Sequence, residues 1–220
     1  TDYCTMKKLM QDHGHENFIK TVSNFIEKRK NISGYESVYM MWATNLLPEE
    51  FNFDDRFLKR GDKFYFIGTL GGSPALEMQK VVDTLQRLNI EWININPWQN
   101  PCTFEENMEL MKSSIISLDV RGSDAYHTNS DGKLELNGKS VTGGNHKKIG
   151  YIPCRLLKQI SYGRMSGTNS IAVKELLGDY VIYNDDESEL PINCLDFEKK
   201  PNYDLVFDAM KHIQQNHTFI

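Results

Sequence analysis

KKIGYIPCRLLKQISYGRMSGTNSIAVKELLGDYVIYNDD, residues 147–186, decides the reading of this chain. Its apolar spacing predicts a short helix closed by Gly163, a tight glycine-punctuated turn, a second helix opening at Asn169 or Ser170, and then a strand. Helix ends and backbone N–H groups arranged in this way face one crevice, and such a crevice suits a phosphate. Arg155, Lys158, Ser161, Tyr162, Gly163, Arg164, Thr168, Asn169 and Ser170 all fall within it. Arg155 and Lys158 share a helix face. A guanidinium can fork onto a diphosphate, Lys158 can add a point charge or reach a ribose hydroxyl, and amides near Thr168 and Asn169 can complete an anion site. A solvated basic face beside a helix-ending glycine is the alternative account of the same residues.

Outward from this segment, short apolar strands alternate with helices. KFYFIG (63–68) reads as a buried strand, followed by the glycine-rich turn Gly68, Thr69, Leu70, Gly71, Gly72. A helix then opens with Ser73 as N-cap and Pro74 at its first position. EWINI (91–95) is the next strand, and Thr103 and Glu106 have the spacing of a capping box for the helix running through Met111. SIISLDV (114–120) and DYVIYN (179–184) are further strands, and residues 203–215 form a last helix. Between them, residues 121–150 make a long polar stretch, either a functional flap or a small excursion, in which Asn137-Gly138 has the form of a hairpin turn.

This alternation implies an α/β fold with a Rossmann-like parallel sheet and helices on both faces. Residues 5–30 read as an amphipathic helix and 36–43 as a strand. The mixed-charge stretch 54–63 marks a boundary, giving a region 1–60 and a Rossmann-like domain 61–220. Open parallel sheets bind ligands outside the carboxyl ends of their strands. That rule draws in the Gly68, Thr69, Gly71 loop, as a phosphate approach or a plain tight turn. It also draws in Arg121 of the Arg121-Gly122-Ser123-Asp124 run, as a substrate contact or an ordinary strand-ending turn.

Composition narrows the function classes. With 220 residues and 40% hydrophobic content the chain can bury a sizeable core. A net charge of −5 argues against a nucleic-acid or anionic-membrane surface over the whole chain, so an anionic ligand would be met locally. No apolar run approaches the roughly 20 residues of a membrane span, and the first residues lack a signal-peptide core, so a cytoplasmic protein is expected. Cys4, Cys102, Cys154 and Cys194 are scattered, without metal-ligand or disulfide spacing, and no metal site is expected. The histidines are equally dispersed. Glu49 and Glu50 can serve as bases or simply start a helix, and Trp42, Trp92 and Trp98 can stack on a sugar or fill a core.

GYIPCRLLKQISYG, followed by TNS and the strand VIY, resembles the nucleotide-sugar-binding half of GT-B glycosyltransferases, in the bacterial and viral surface-polysaccharide branch related to the CgeB-like group. MWATNLLPEE (41–50), WININPWQNP (92–101) and the closing NHTFI extend the resemblance over most of residues 36–220. It implies a C-terminal GT-B domain that grips a nucleoside-diphosphate sugar and transfers the sugar to a glycan or other acceptor. Arg155 and Lys158 are then the catalytic cations, compensating diphosphate charge without a metal cofactor. Gly68, Thr69, Gly71, Arg121, Ser161, Tyr162, Gly163, Thr168, Asn169 and Ser170 form the donor pocket. Two departures stand out: Lys158 occupies a position where many retaining relatives carry Glu, and only about 50 residues precede the boundary, fewer than a complete domain of roughly 100–150. A fragment or reduced form of a two-domain enzyme is therefore expected. A non-catalytic nucleotide- or sugar-phosphate-binding module is the alternative.

Overall fold

Phe64–Ile67 forms the first strand, β1, because its side chains are apolar on both faces and both faces are covered. The computed structural model describes residues 44–54, 56, 58, 60–68, 75–96, 99–122, 127–128, 134–136, 139–141, 147 and 152–218. The chain divides into two compact units, Thr1–Met40 and Met41–Ile220, and all the described residues belong to the second. The helix expected over 5–30, the strand at 36–43, the Ser73-Pro74 start, Trp42, Trp98, Thr69 and Gly71 lie outside them.

After β1 come α1 (Ala75–Arg87), β2 (Trp92–Ile95), α2 (Phe104–Ser113) and β3 (Ser117–Asp119). β4 (His127–Thr128), β5 (Leu134–Leu136) and β6 (Lys139–Val141) form a separate antiparallel sheet. Then follow α3 (Cys154–Ser161), β7 (Ser166–Thr168), α4 (Ile171–Leu177), β8 (Val181–Tyr183), α5 (Leu190–Lys199) and α6 (Tyr203–Asn216). β1 pairs with β2 in parallel, and β7 lies between β3 and β8, also in parallel. The two ladders abut at their amino ends, where Ile115 N donates to Lys63 O at 2.8 Å and Tyr65 N to Ser114 Oγ at 3.1 Å. From β1 the chain thus moves outward to β2 and returns to β3 on β1's other side. The progression reverses between β1 and β3, the kind of point at which open α/β sheets take ligands, outside the carboxyl ends of their strands.

Helices cover both faces. On one, α1 places Met78, Val81 and Leu85, and α5 places Leu190 and Cys194, over Phe64, Phe66 and Leu118. On the other, Leu156, Leu157 and Ile160 of α3 join Val206, Met210 and Ile213 of α6. Phe51 and Leu58, upstream of β1, are buried in that same cluster. Each such side chain contributes about 1.5–3 kcal/mol on removal from water. The capping box of α2 forms as its spacing predicts: Glu106 N donates to Thr103 Oγ1 at 3.1 Å and Thr103 N to Glu106 Oε2 at 2.8 Å.

The segment quoted at the outset corrects one expectation. Between its two helices runs a strand, β7, where the sequence predicts only a turn. Strand geometry wins because β7 is hydrogen-bonded on both sides, and because α5 lies directly on Gly167. A Cβ there would overlap Cys194 Sγ and stand 2.8 Å from Leu118 Cδ2, so only glycine admits the helix at this distance. Helix α5 itself is missed by the sequence reading. The second α-helix does open at Ser170, its N-cap. In the polar stretch, β5 and β6 pair with Leu136 opposite Lys139, the register of a two-residue hairpin, while Asn137 and Gly138 lie outside the described residues.

Candidate functional site

The candidate site at the carboxyl ends of β1 and β3 is built first from main chain. β1 is followed by Gly68, whose N–H donates to Ile95 O at 2.9 Å and whose carbonyl accepts from Asn94 Nδ2 at 2.8 Å. The Gly68 amide is therefore committed to β2 and is not offered to a ligand. Against this strand end lies Arg155, the second residue of α3. Its Cζ stands 4.6 Å from the centre of the Phe66 ring, and its guanidinium occupies the space a Gly68 side chain would fill. Cation and ring attract through the ring quadrupole. Lys158 follows one helical turn later, half-buried.

Beside it, the carboxyl ends of β3, β7 and β8 carry a polar network. Asp119 is fully buried and receives the Arg121 guanidinium in a two-point contact, with Nε to Oδ2 at 2.7 Å and Nη2 on Oδ1. Asn169, also fully buried, clasps the Arg121 backbone from both sides: its Oδ1 accepts from Arg121 N at 2.7 Å and its Nδ2 donates to Arg121 O at 2.9 Å. The same Nδ2 reaches Glu187 Oε1 at 2.8 Å. Glu187 also meets Lys80 of α1 at 3.0 Å and Lys147 at 3.4 Å, and Lys147 pairs with Asp185 at 2.6 Å. Burial pushes the Glu187 carboxyl up, but the hydrogen bonds from Asn169 and Lys80 and the charge of Lys147 outweigh it and hold its pKa below the ordinary value. Burial likewise pulls the Lys147 ammonium down, while Asp185 and Glu187 more than restore it. Thr168 Oγ1 accepts from Ser170 N at 3.2 Å, and the buried Ser170 Oγ has no hydrogen-bond partner among the described residues.

The remaining residues of the expected pocket are elsewhere. α3 is eight residues long, about 12 Å at the usual rise, and Ser161, Tyr162 and Gly163 stand at its far end, by the amino ends of the strands. There Ser161 Oγ lies 2.6 Å from Thr44 Oγ1, and Tyr162 OH donates to Asn45 Oδ1 at 2.6 Å. Burial raises the Tyr162 phenol to about 12 despite that hydrogen bond. Gly163 adopts φ 80° against Leu58. Ser161, Tyr162 and Gly163 thus anchor the segment upstream of β1, and the structure does not bring them to Arg155. A cavity of about 500 Å³ lined by Leu46, Leu58, Phe104, Met108, Lys112 and Tyr162 opens near that end, away from the crevice.

Glu50 is occupied as a cap, its Oε2 accepting from Leu47 N at 2.7 Å. Trp92 packs partly buried against the core. Asp119, Lys80, Lys147 and Glu187 are the site-edge residues that the sequence reading missed. Asp119 had a local signal, an acid closing an apolar strand, whereas Glu187 sits in an acidic run and is paired with Asn169 only by the fold. Among the described residues no helix is long and apolar enough to cross a membrane. Comparison with family models, with curated proteins and with solved structures gave no match.

Proposed function

We propose that this chain is a glycosyltransferase, or the donor-binding portion of one, with the C-terminal Rossmann-like domain of a GT-B fold. The observation that carries the reading is the placement of Arg155: a guanidinium at the mouth of the crevice where the strand order reverses, with Lys158 one turn behind it. Two cations on one helix suit the two charges of a diphosphate, and as the bond to the sugar breaks they stabilise the charge gathering on the leaving group. The resemblance of GYIPCRLLKQISYG and TNS to nucleotide-sugar-binding chains supports the same ligand class. Arg121, Thr168, Asn169 and Ser170 then shape the neighbouring edge of the donor pocket, and a glycan or other acceptor approaches from solvent. This chemistry calls for no metal ion, and the reading implies a cytoplasmic location.

Uridine and guanosine diphosphates are expected to raise the melting temperature of the chain, and Arg155→Ala to abolish the rise. If no nucleoside diphosphate shifts the melting temperature, the reading fails. A second reading, a binding module without turnover, draws support from the edge carboxylates. Asp119, Asp185 and Glu187 are each already paired with a cation, leaving none of these three disposed as a base. Donor hydrolysis by this chain alone would exclude it.

A further inference from the structure

The Gly68 backbone is held at two points, and the Phe66 carbonyl two residues earlier at a third. Gly68 N–H donates to Ile95 O at 2.9 Å, Gly68 O accepts from Asn94 Nδ2 at 2.8 Å, and that same Asn94 Nδ2 donates to Phe66 O at 3.0 Å. The strand end is therefore rigid where Arg155 crosses it. A Cβ on Gly68 would overlap Arg155 Nη2 and lie 3.4 Å from Cζ, while the Phe66 ring bounds the guanidinium on another side, 4.6 Å from its centre to Cζ. Of the two parties to that overlap, the pinned backbone cannot yield and the end of a flexible side chain can. The space the guanidinium occupies here exists because Gly68 has no side chain.

We propose that Gly68 is a positioning residue for the candidate site: its missing side chain is the socket that seats the Arg155 guanidinium across the crevice, with Phe66 as the socket wall. The proposal rests on the reading of Arg155 as the ligand-facing cation, and it assigns Gly68 a role other than donating its amide to a phosphate. Substituting it moves the charge without removing it.

The test is a double-mutant cycle between Gly68→Ala and Arg155→Lys in the full chain, read on uridine diphosphate affinity and, without nucleotide, on melting temperature. A lysine ends near the position of Cζ, clear of the added methyl. The backbone cost of a side chain at φ 154° is common to both backgrounds and cancels. Gly68→Ala is expected to weaken nucleotide binding about tenfold beside Arg155 and less than about twofold in the Arg155→Lys background. In melting temperature Gly68→Ala is expected to cost about 2–4 °C more beside arginine than in the Arg155→Lys background. Equal losses in both backgrounds, or no loss in either, overturn the proposal. Coupling in melting temperature from a chain that binds no nucleoside diphosphate would uphold the socket while removing the glycosyltransferase reading.

Discussion

Glu187 and Glu198 bracket helix α5, and each buried carboxylate gathers two cations from distant parts of the chain, cations that differ in kind and in exposure. Glu187, at the carboxyl edge of the strands, meets two lysines, and the Lys80 side chain is 55% exposed. Glu198, at the amino edge, meets two arginines, Arg60 and the fully buried Arg164. Burial pulls the Arg164 pKa down to about 9, the Arg60 charge adds to that, and Glu198 opposes both. The arginines also spend their fork of donors on carbonyls: Arg60 on Leu58 O at 2.7 Å and Gly163 O at 3.3 Å, Arg164 on Ser114 O and on Lys112 O at 3.3 Å. A guanidinium can satisfy several acceptors in a dry site, whereas a flexible ammonium suits a hydrated one. At the amino edge the cations are arginines 0% and 17% exposed, whereas at the carboxyl edge one of the two, Lys80, is open to water.

The largest expected effect comes from the dry edge. Glu198→Ala leaves two arginines without their shared counter-charge and should cost about 3–5 kcal/mol in chemical denaturation; a loss under about 1 kcal/mol would erase the contrast between the edges. Glu187→Gln should cost less, about 1–2 kcal/mol, with a distinctive pH profile. Because the native Glu187 pKa is held below 4.5, its contribution is fully present above that pH and is lost as pH falls through the lower native value. The gap between parent and variant should therefore close in acid, and a gap that stays constant would mean the carboxylate charge is not what matters. Lys80→Ala is the smallest, under about 1 kcal/mol, and should vanish in 1 M salt as expected of a half-exposed ammonium. Persistence at high salt would move this edge into the dry class.

Much of the fold was legible because its signals are local. Phe64–Ile67 and Trp92–Ile95 are short apolar runs bounded by polar turns, and Thr103 with Glu106 closes a cap within one turn. β7 was not legible, since Ser166, Gly167 and Thr168 carry no apolar pattern and become a strand only through neighbours on either side. Helix α5 was hidden by Pro191 near its start, a position where the helix needs no N–H from it. At the site, the sequence singled out Arg155, Asn169 and Arg121 as separate donors. It could not indicate that Asn169 clasps the Arg121 backbone, nor that Glu187 lies behind it, because those partners meet only after parallel pairing of β3, β7 and β8. The same strand that went unseen sends Ser161 to Gly163 and Thr168 to Ser170 to opposite edges.

Lys147 N donates to Gly122 O at 3.1 Å, so the chain that leaves after β3 and wanders through β4, β5 and β6 comes back to within one hydrogen bond of its departure. Its return is fixed by Lys147 on Asp185 and Glu187, and its departure by Asn169 on Arg121. The two ends of the intervening stretch are therefore held together by contacts that do not pass through it. A change in the length of that stretch alters loop closure only slightly, because the cost grows with the logarithm of loop length. The neck makes residues 122 and 147 the natural joints for grafting a new recognition element beside the crevice.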